Sequence, residues 1–107
     1  MKRVIVLGLS GCRHCDALVV GLTQEGISFE FKDVNLKEHS KLADKVEALL
    51  ETNTYPIIIL DRPQGTVYLY RVDTINEAKE SSINYVTKVG CVSTDSMIAI
   101  TEKYIKK

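Results

Sequence analysis

The run Val4-Ile5-Val6-Leu7 narrows the possible folds more than any other stretch of this chain. Four consecutive apolar residues, mostly β-branched, read as a strand buried on both faces, and such strands lie in the middle of sheets covered by helices on either side. Gly8-Leu9-Ser10-Gly11 ends the strand in a loop. From Cys12 the apolar residues Ala17, Leu18, Val19 and Leu22 return at helical spacing, and Gly26 supplies a left-handed stop, so a helix runs to about Glu25. Gly21 within it costs about 1 kcal/mol of helix propensity relative to alanine, and a close packing contact would account for its presence. Ile27, Phe29, Phe31 and Asp33 alternate with polar positions as a half-buried second strand, which completes a βαβ unit.

The chain continues in the same style. Between Glu38 and Glu51 the residues Leu42, Ala43, Val46, Leu49 and Leu50 form one apolar helical stripe, which Thr52-Asn53-Thr54 breaks. Pro56 then opens the short apolar strand Ile57-Ile58-Ile59-Leu60, where its missing N–H does little harm. Asp61-Arg62-Pro63-Gln64-Gly65 is a turn by composition, and Thr66 to Val72 reads as the return strand of a hairpin. Thr74-Ile75-Asn76-Glu77 has capping-box form, which suggests a short helix, whereas Ile83, Tyr85, Thr87 and Val89 alternate as one further strand. Gly90 breaks the chain, and Ser93, Thr94 or Asp95 caps a last helix through Met97, Ile98, Thr101, Tyr104 and Ile105.

Chemistry concentrates in Cys12-Arg13-His14-Cys15 at the start of the first helix. Two cysteines at this spacing can bring their sulfurs into bonding range without distorting the backbone, so one helical turn holds both partners of a reversible disulfide. The helix start sets unpaired N–H groups and the positive end of the macrodipole against the first sulfur, which lowers a thiol pKa from about 8.5 into the roughly 3.5–7.5 range. Cys12 is therefore the better nucleophile, with Arg13 and His14 adding cationic or proton-donating character beside it. Of the other candidates, His39 reads as a surface histidine, Cys91 as a small core residue, and Tyr68, Tyr70 and Tyr85 as sheet packing.

Composition limits the remaining classes of function. The chain has 107 residues, enough for one domain spanning 1–107 that buries its own core. Its 14 basic and 14 acidic side chains cancel, which leaves no footprint for nucleic acid or an anionic membrane. No apolar run approaches a membrane span, and Val4 to Leu7 is too short for a signal-peptide core, so a cytoplasmic location is expected. Three cysteines cannot pair completely within one chain, which agrees with a reducing compartment.

With Cys12-Arg13-His14-Cys15 after a strand, Thr54-Tyr55-Pro56 before another, and Gly90 with Ser93-Thr94-Asp95 opening the last helix, the chain resembles a glutaredoxin of the thioredoxin fold. The resemblance covers Met1 to about Val72 and resumes at Gly90. It implies an α/β architecture with a central mixed four-stranded sheet, about three flanking helices, and an insertion at about 72–88 before the last helix. It implies a dithiol thiol–disulfide oxidoreductase in which Cys12 attacks, Cys15 resolves, and the Cys12–Cys15 disulfide is the oxidised form. Pro56 would be a cis-proline, and Tyr55 before it would offer backbone hydrogen bonds to the cysteinyl part of glutathione. Arg13 and His14 would border the same groove, and Ser93, Thr94 and Asp95 would hold the γ-glutamyl end. No tightly bound cofactor is implied. Glutathione would be the reductant, disulfide-containing proteins including ribonucleotide reductase the partners, and the protein a monomer.

Three departures from the family pattern define what is particular here. Arg13 stands for the usual proline and His14 for the usual aromatic, and His14 resembles the dipeptide of periplasmic disulfide oxidases, where it stabilises the thiolate. Leu9 stands where many glutaredoxins carry a lysine that pairs with a glutathione carboxylate, a role that falls to Arg13 or Lys37 if it is filled. Two alternatives stay open: a thioredoxin-like protein fed by a reductase, and a metal-binding protein. In the latter, Cys12, His14 and Cys15 join Cys91 or His39 around zinc, or Cys12 with glutathione holds an iron–sulfur cluster.

Overall fold

Residues 3–74 and 80–105 are described by a computed structural model. The first strand, β1 (Arg3–Gly8), lies inside a single sheet, as its continuous apolar run demands. Its period of two sends Val4 and Val6 to one core and Ile5 and Leu7 to the other. The first core is closed by α1 (Arg13–Gln24) and α3 (Thr94–Ile105) through Leu18, Leu22 and Met97. The second is closed by α2 (Ser40–Leu50), preceded by a 3-10 turn at Lys37–His39, through Val46 and Leu50. The next central strand, β3 (Ile57–Arg62), repeats the division, with Ile58 and Leu60 on one side and Ile57 and Ile59 on the other.

The termini of the helices follow their sequence signals. At the end of α1, Gly26 adopts φ 72°, its N–H donates to Thr23 O at 3.1 Å, and the N–H of Ile27 donates to Leu22 O at 3.0 Å. This is a Schellman cap, with Ile27 and Leu22 meeting in the core. Closing the cap uses Ile27, so the second strand, β2 (Glu30–Asp33), starts three residues later than the alternation suggests. Gly21 has the packing reason expected for it: a Cβ there would lie 2.2 Å from Cδ1 of Ile98, where α1 crosses α3. Ser93 caps α3, its Oγ accepting the N–H of Ser96 at 3.1 Å.

The sheet has six strands, not four. Its order is β2-β1-β3-β4-β6-β5, with β4 at Gly65–Arg71, β5 at Glu80–Ile83 and β6 at Val86–Cys91. β1 is parallel to β2 and antiparallel to β3, β3 is antiparallel to β4, β4 is parallel to β6, and β5 closes the far edge antiparallel to β6. The single strand expected across Ile83 to Val89 is a hairpin. Asn84 (φ 54°) and Tyr85 (φ 65°) both take left-handed conformations, which makes the two-residue primed turn that matches strand twist. Asparagine suits that turn but tyrosine does not advertise it, so the alternation hid it. Gly90 is a buried residue within β6 and does not break the chain. The short helix expected at Thr74-Ile75-Asn76-Glu77 falls largely outside the described residues.

The β3–β4 turn and the β5–β6 turn lean on each other. Thr66 N–H donates to Tyr85 O at 2.9 Å, and a Cβ on Gly65, whose φ is 141°, would lie 2.3 Å from that same oxygen. Backbone cannot yield as a side-chain tip can. Gly65→Ala is therefore expected to destabilise the fold by about 1–3 kcal/mol in urea unfolding. A midpoint equal to the unsubstituted protein's would show that the two turns do not meet in this way.

Candidate active site

β1 ends at Gly8, and Leu9-Ser10-Gly11 turns the chain into α1. The turn is anchored on both sides: Cys12 N–H donates to Leu9 O at 3.2 Å, and the Ser10 hydroxyl donates to Asp33 Oδ2 at 2.5 Å. Cys12 is the N-cap residue, extended at φ −80° and ψ 124°. Cys15 lies one turn on, inside the protein and 0% exposed. Its sulfur accepts the N–H of Leu9 at 3.4 Å and occupies room left by Gly8, where a Cβ would come within 3.1 Å of both that sulfur and the Phe31 ring. Both cysteines are free thiols, Cys12 partly exposed and Cys15 buried.

The two sulfurs are driven apart in acidity. Burial pushes the Cys12 thiol up, but the hydrogen bond from the Cys15 thiol and the backbone N–H groups of Cys15 and His14 outweigh it. The net effect holds Cys12 below the usual thiol range, although the Asp16 carboxylate opposes it. No side-chain capping hydrogen bond closes on the neutral sulfur, and the amides at the helix start favour the thiolate. Cys15 is pushed up to about 12, first by burial, with its bond to Cys12 and the charge of Asp16 adding to the rise and the Leu9 N–H opposing it. One thiol ionises readily and the other holds its proton.

The other predicted residues divide into two groups. Tyr55-Pro56 is a cis peptide bond. The buried Tyr55 donates its hydroxyl to the Glu47 carboxylate, and burial together with that carboxylate raises its phenol. His14, Thr54 and Tyr55 line a cavity of about 260 Å³ together with Arg71, Val72, Asp73 and Val92. The His14 imidazole serves this wall instead of Cys12: its Nδ1 lies 3.0 Å from Arg71 Nη1, and it is the backbone of His14 that favours the thiolate. Arg13 is exposed and does not line the cavity. Ser93, Thr94 and Asp95 follow Val92 at the start of α3 and are absent from its lining.

Sequence reasoning missed Arg71, Val72 and Asp73. Arg71 and Val72 read as the end of a strand and Asp73 as the residue after it, and only the pairing of β4 beside β3 brings them to the cavity that His14, Thr54 and Tyr55 line. A larger cavity of about 300 Å³, lined by Leu49, Ser81, Ile83, Asn84, Val86 and Lys88, has no cysteine or histidine in its walls. His39 is a structural residue, its Nδ1 2.9 Å from Asp33 O. Cys91 lies in the α1/α3 core, its thiol donating weakly to Val89 O at 3.8 Å and pushed up to about 11 by burial. Cys15 belongs to the other core, so the zinc set with Cys91 does not assemble. Among the described residues, no three His, Cys, Asp or Glu side chains are grouped to hold a metal ion.

A depressed N-cap thiol, a buried second thiol one turn on and a neighbouring cis-proline define a thiol–disulfide exchange protein of thioredoxin-like α/β fold. Residues 4–62 match the glutaredoxin family model. This chain belongs to the glutaredoxin family. A solved glutaredoxin (grx-1) from Archaeoglobus fulgidus is similar at 28% identity and a TM-score of 0.49, over 57% of this chain and 70% of that one. No curated protein matches significantly. The family match stops where β3 stops, which leaves β4, β5, β6 and α3 outside it.

The acidity difference predicts ordered alkylation. With the reduced protein, iodoacetamide should modify Cys12 first, at a rate that falls as pH drops through its lowered pKa and the thiolate is protonated. Cys15 should react only at strongly alkaline pH or after unfolding. Peptide mapping that finds Cys15 modified as fast as Cys12 at neutral pH would contradict the assignment.

Proposed function

We propose that the protein is a dithiol glutaredoxin that reduces glutathione mixed disulfides and protein disulfides in a reducing compartment such as the cytoplasm, with glutathione as its reductant. The observation that carries this reading is the opposed acidity of Cys12 and Cys15 across one helical turn. The Cys12 thiolate attacks one sulfur of the substrate disulfide. A new S–S bond forms to Cys12, the old one breaks, and the departing thiolate takes a proton from solvent. When the sulfur on Cys12 belongs to glutathione, a second glutathione thiolate attacks that sulfur, releasing glutathione disulfide and regenerating the Cys12 thiolate. When it belongs to a protein, the Cys15 thiol gives up its proton and attacks Cys12, releasing the protein as a thiol and leaving Cys12–Cys15 oxidised. Two glutathione molecules then reduce that disulfide in sequence.

Burial suits Cys15 to this division of labour, because a thiol held protonated does not compete for the incoming disulfide but stands next to the mixed disulfide once it forms. Ribonucleotide reductase is one disulfide protein of the class such a dithiol serves, and a monomer suffices for the chemistry. No helix among the described residues is long and apolar enough to cross a membrane. A thioredoxin-like protein fed by a reductase is the second reading, and Leu9, in place of a carboxylate-pairing lysine, favours it.

The two chemistries separate in cysteine variants. Cys12→Ser is expected to lose essentially all activity, at least about 10³-fold, because no other accessible thiolate replaces it. Cys15→Ser should keep most of the turnover of a glutathionylated peptide and lose reduction of insulin disulfides. Full activity in Cys12→Ser would sink the mechanism, and a Cys15→Ser protein inactive on both substrates would favour the reductase-fed reading.

A further inference from the structure

Between Cys12 and Cys15 stands an imidazole that acts on neither sulfur. The backbone N–H of His14 is among the groups that lower the Cys12 thiol, whereas its ring is not, and the ring has no part in the acidity of Cys15. The ring is held elsewhere, its Nδ1 3.0 Å from Arg71 Nη1. A guanidinium has only donors, so Nδ1 accepts, and the contact is made by a ring that carries its one proton on Nε2. Arg71 is itself fixed from behind: it lies opposite Cys91 of β6, and the Val72 N–H donates to Cys91 O at 2.9 Å. The ladder between β3 and β4 ends at Ile58 and Leu69, so Arg71 stands beyond it, on the wall of the cavity that His14 and Tyr55 line.

Released from that contact, the ring has another partner within its range. Helical side chains lean towards the N-terminus of their own helix, and the N-terminus of α1 is where Cys12 sits as the capping residue. A protonated imidazole beside a thiol favours the thiolate, as any cation there does. The charged groups about the ring are Arg71 and Asp73 on the cavity wall and Arg13 and Asp16 on its own helix. Arg71 touches the nitrogen that would take the second proton, and a guanidinium against that nitrogen leaves no place for it.

We propose that Arg71 is a positioning residue that holds the His14 imidazole on the cavity wall and keeps it from Cys12, which makes the Cys12–Cys15 couple more reducing than the Arg13-His14 dipeptide would otherwise leave it. The proposal rests on the dithiol reading above. In the exchange that sets the couple, the Cys12–Cys15 bond is broken and reduced to two thiols, while two glutathione thiols give up their protons and join as glutathione disulfide. Whatever stabilises the Cys12 thiolate favours the dithiol side of that exchange. A ring that must first leave Arg71 contributes only the surplus of the new contact over the old one, so the worth of the Arg71 contact bounds what its removal can release.

The test equilibrates the protein with glutathione and glutathione disulfide at neutral pH and reads the oxidised fraction from the mass of the alkylated chain. Arg71→Met should shift the equilibrium towards the dithiol by about threefold to tenfold, the scale of one hydrogen bond from a charged donor, which is about 15–30 mV more oxidising. The same substitution made in a His14→Ala chain should shift it by less than about twofold, because no ring is left to release. The thiolate's ultraviolet absorbance gives a second reading: Cys12 should titrate lower in Arg71→Met than in the unsubstituted protein, and the difference should vanish in the His14→Ala chain. The sign separates the alternatives. An arginine that stabilised the thiolate through its own charge would, on removal, shift the equilibrium towards the disulfide, and one that only packed the cavity wall would leave it unmoved or move it equally in both backgrounds. Either result would overturn the proposal. A protein whose cysteines form no disulfide at any glutathione ratio would remove the dithiol reading itself, and the proposal with it.

Discussion

The hydrogen bonds that face the sulfur of Cys12, from the Cys15 thiol first and then from the backbone N–H groups that open α1, are the interaction on which the rest of the site depends. They can lower that thiol only because the turn before them is rigid, and the turn is rigid because β1 is buried on both faces and cannot shift in register without driving its apolar side chains out of both cores. Gly8 contributes by what it lacks. Its missing side chain lets the Cys15 sulfur settle beneath the helix start, where burial keeps it protonated. The fold thus sets two chemically identical residues apart in acidity by placing one at a helix end and the other inside the protein.

The outer half of the sheet shapes the cavity beside His14. β4, β6 and β5 extend the sheet beyond β3, and they are tied to the remainder of the molecule. Lys88 Nζ donates to Leu49 O at 2.9 Å, which satisfies a carbonyl at the end of α2 and fastens β6 to that helix. The opposite end of the same strands delivers Arg71 and Asp73 to the cavity wall. The family match, which ends at Arg62, covers the cysteines and the His14, Thr54 and Tyr55 side of this cavity, but not Arg71, Val72, Asp73 or Val92.

How much could be read in advance follows the same division. β1, α1, α2, β3 and the dithiol were legible because each carries a local signal: an unbroken apolar run, a helical stripe, a capping residue, or a fixed cysteine spacing. The cis bond at Pro56 was legible only through family resemblance, since nothing local distinguishes it from an ordinary strand-start proline. The hairpin at Asn84-Tyr85 was not legible, because a tyrosine in a left-handed turn leaves the alternation of apolar residues intact. Neither was the place of Arg71 beside His14, which depends on which strand lies beside β3, a tertiary choice with no mark in its own neighbourhood. The side chain of His14 turns to Arg71, a contact that nothing in its own neighbourhood announces, while its backbone faces the Cys12 sulfur.

The most direct measurement is the reduction potential of the Cys12–Cys15 couple, obtained by equilibrating the protein with glutathione and glutathione disulfide at defined ratios. A couple that equilibrates promptly with glutathione and lies in the range of glutaredoxins, roughly −200 to −230 mV, is the predicted result. A couple that exchanges slowly with glutathione and lies near the roughly −270 mV of thioredoxin would contradict it and assign the protein to a reductase-fed pathway.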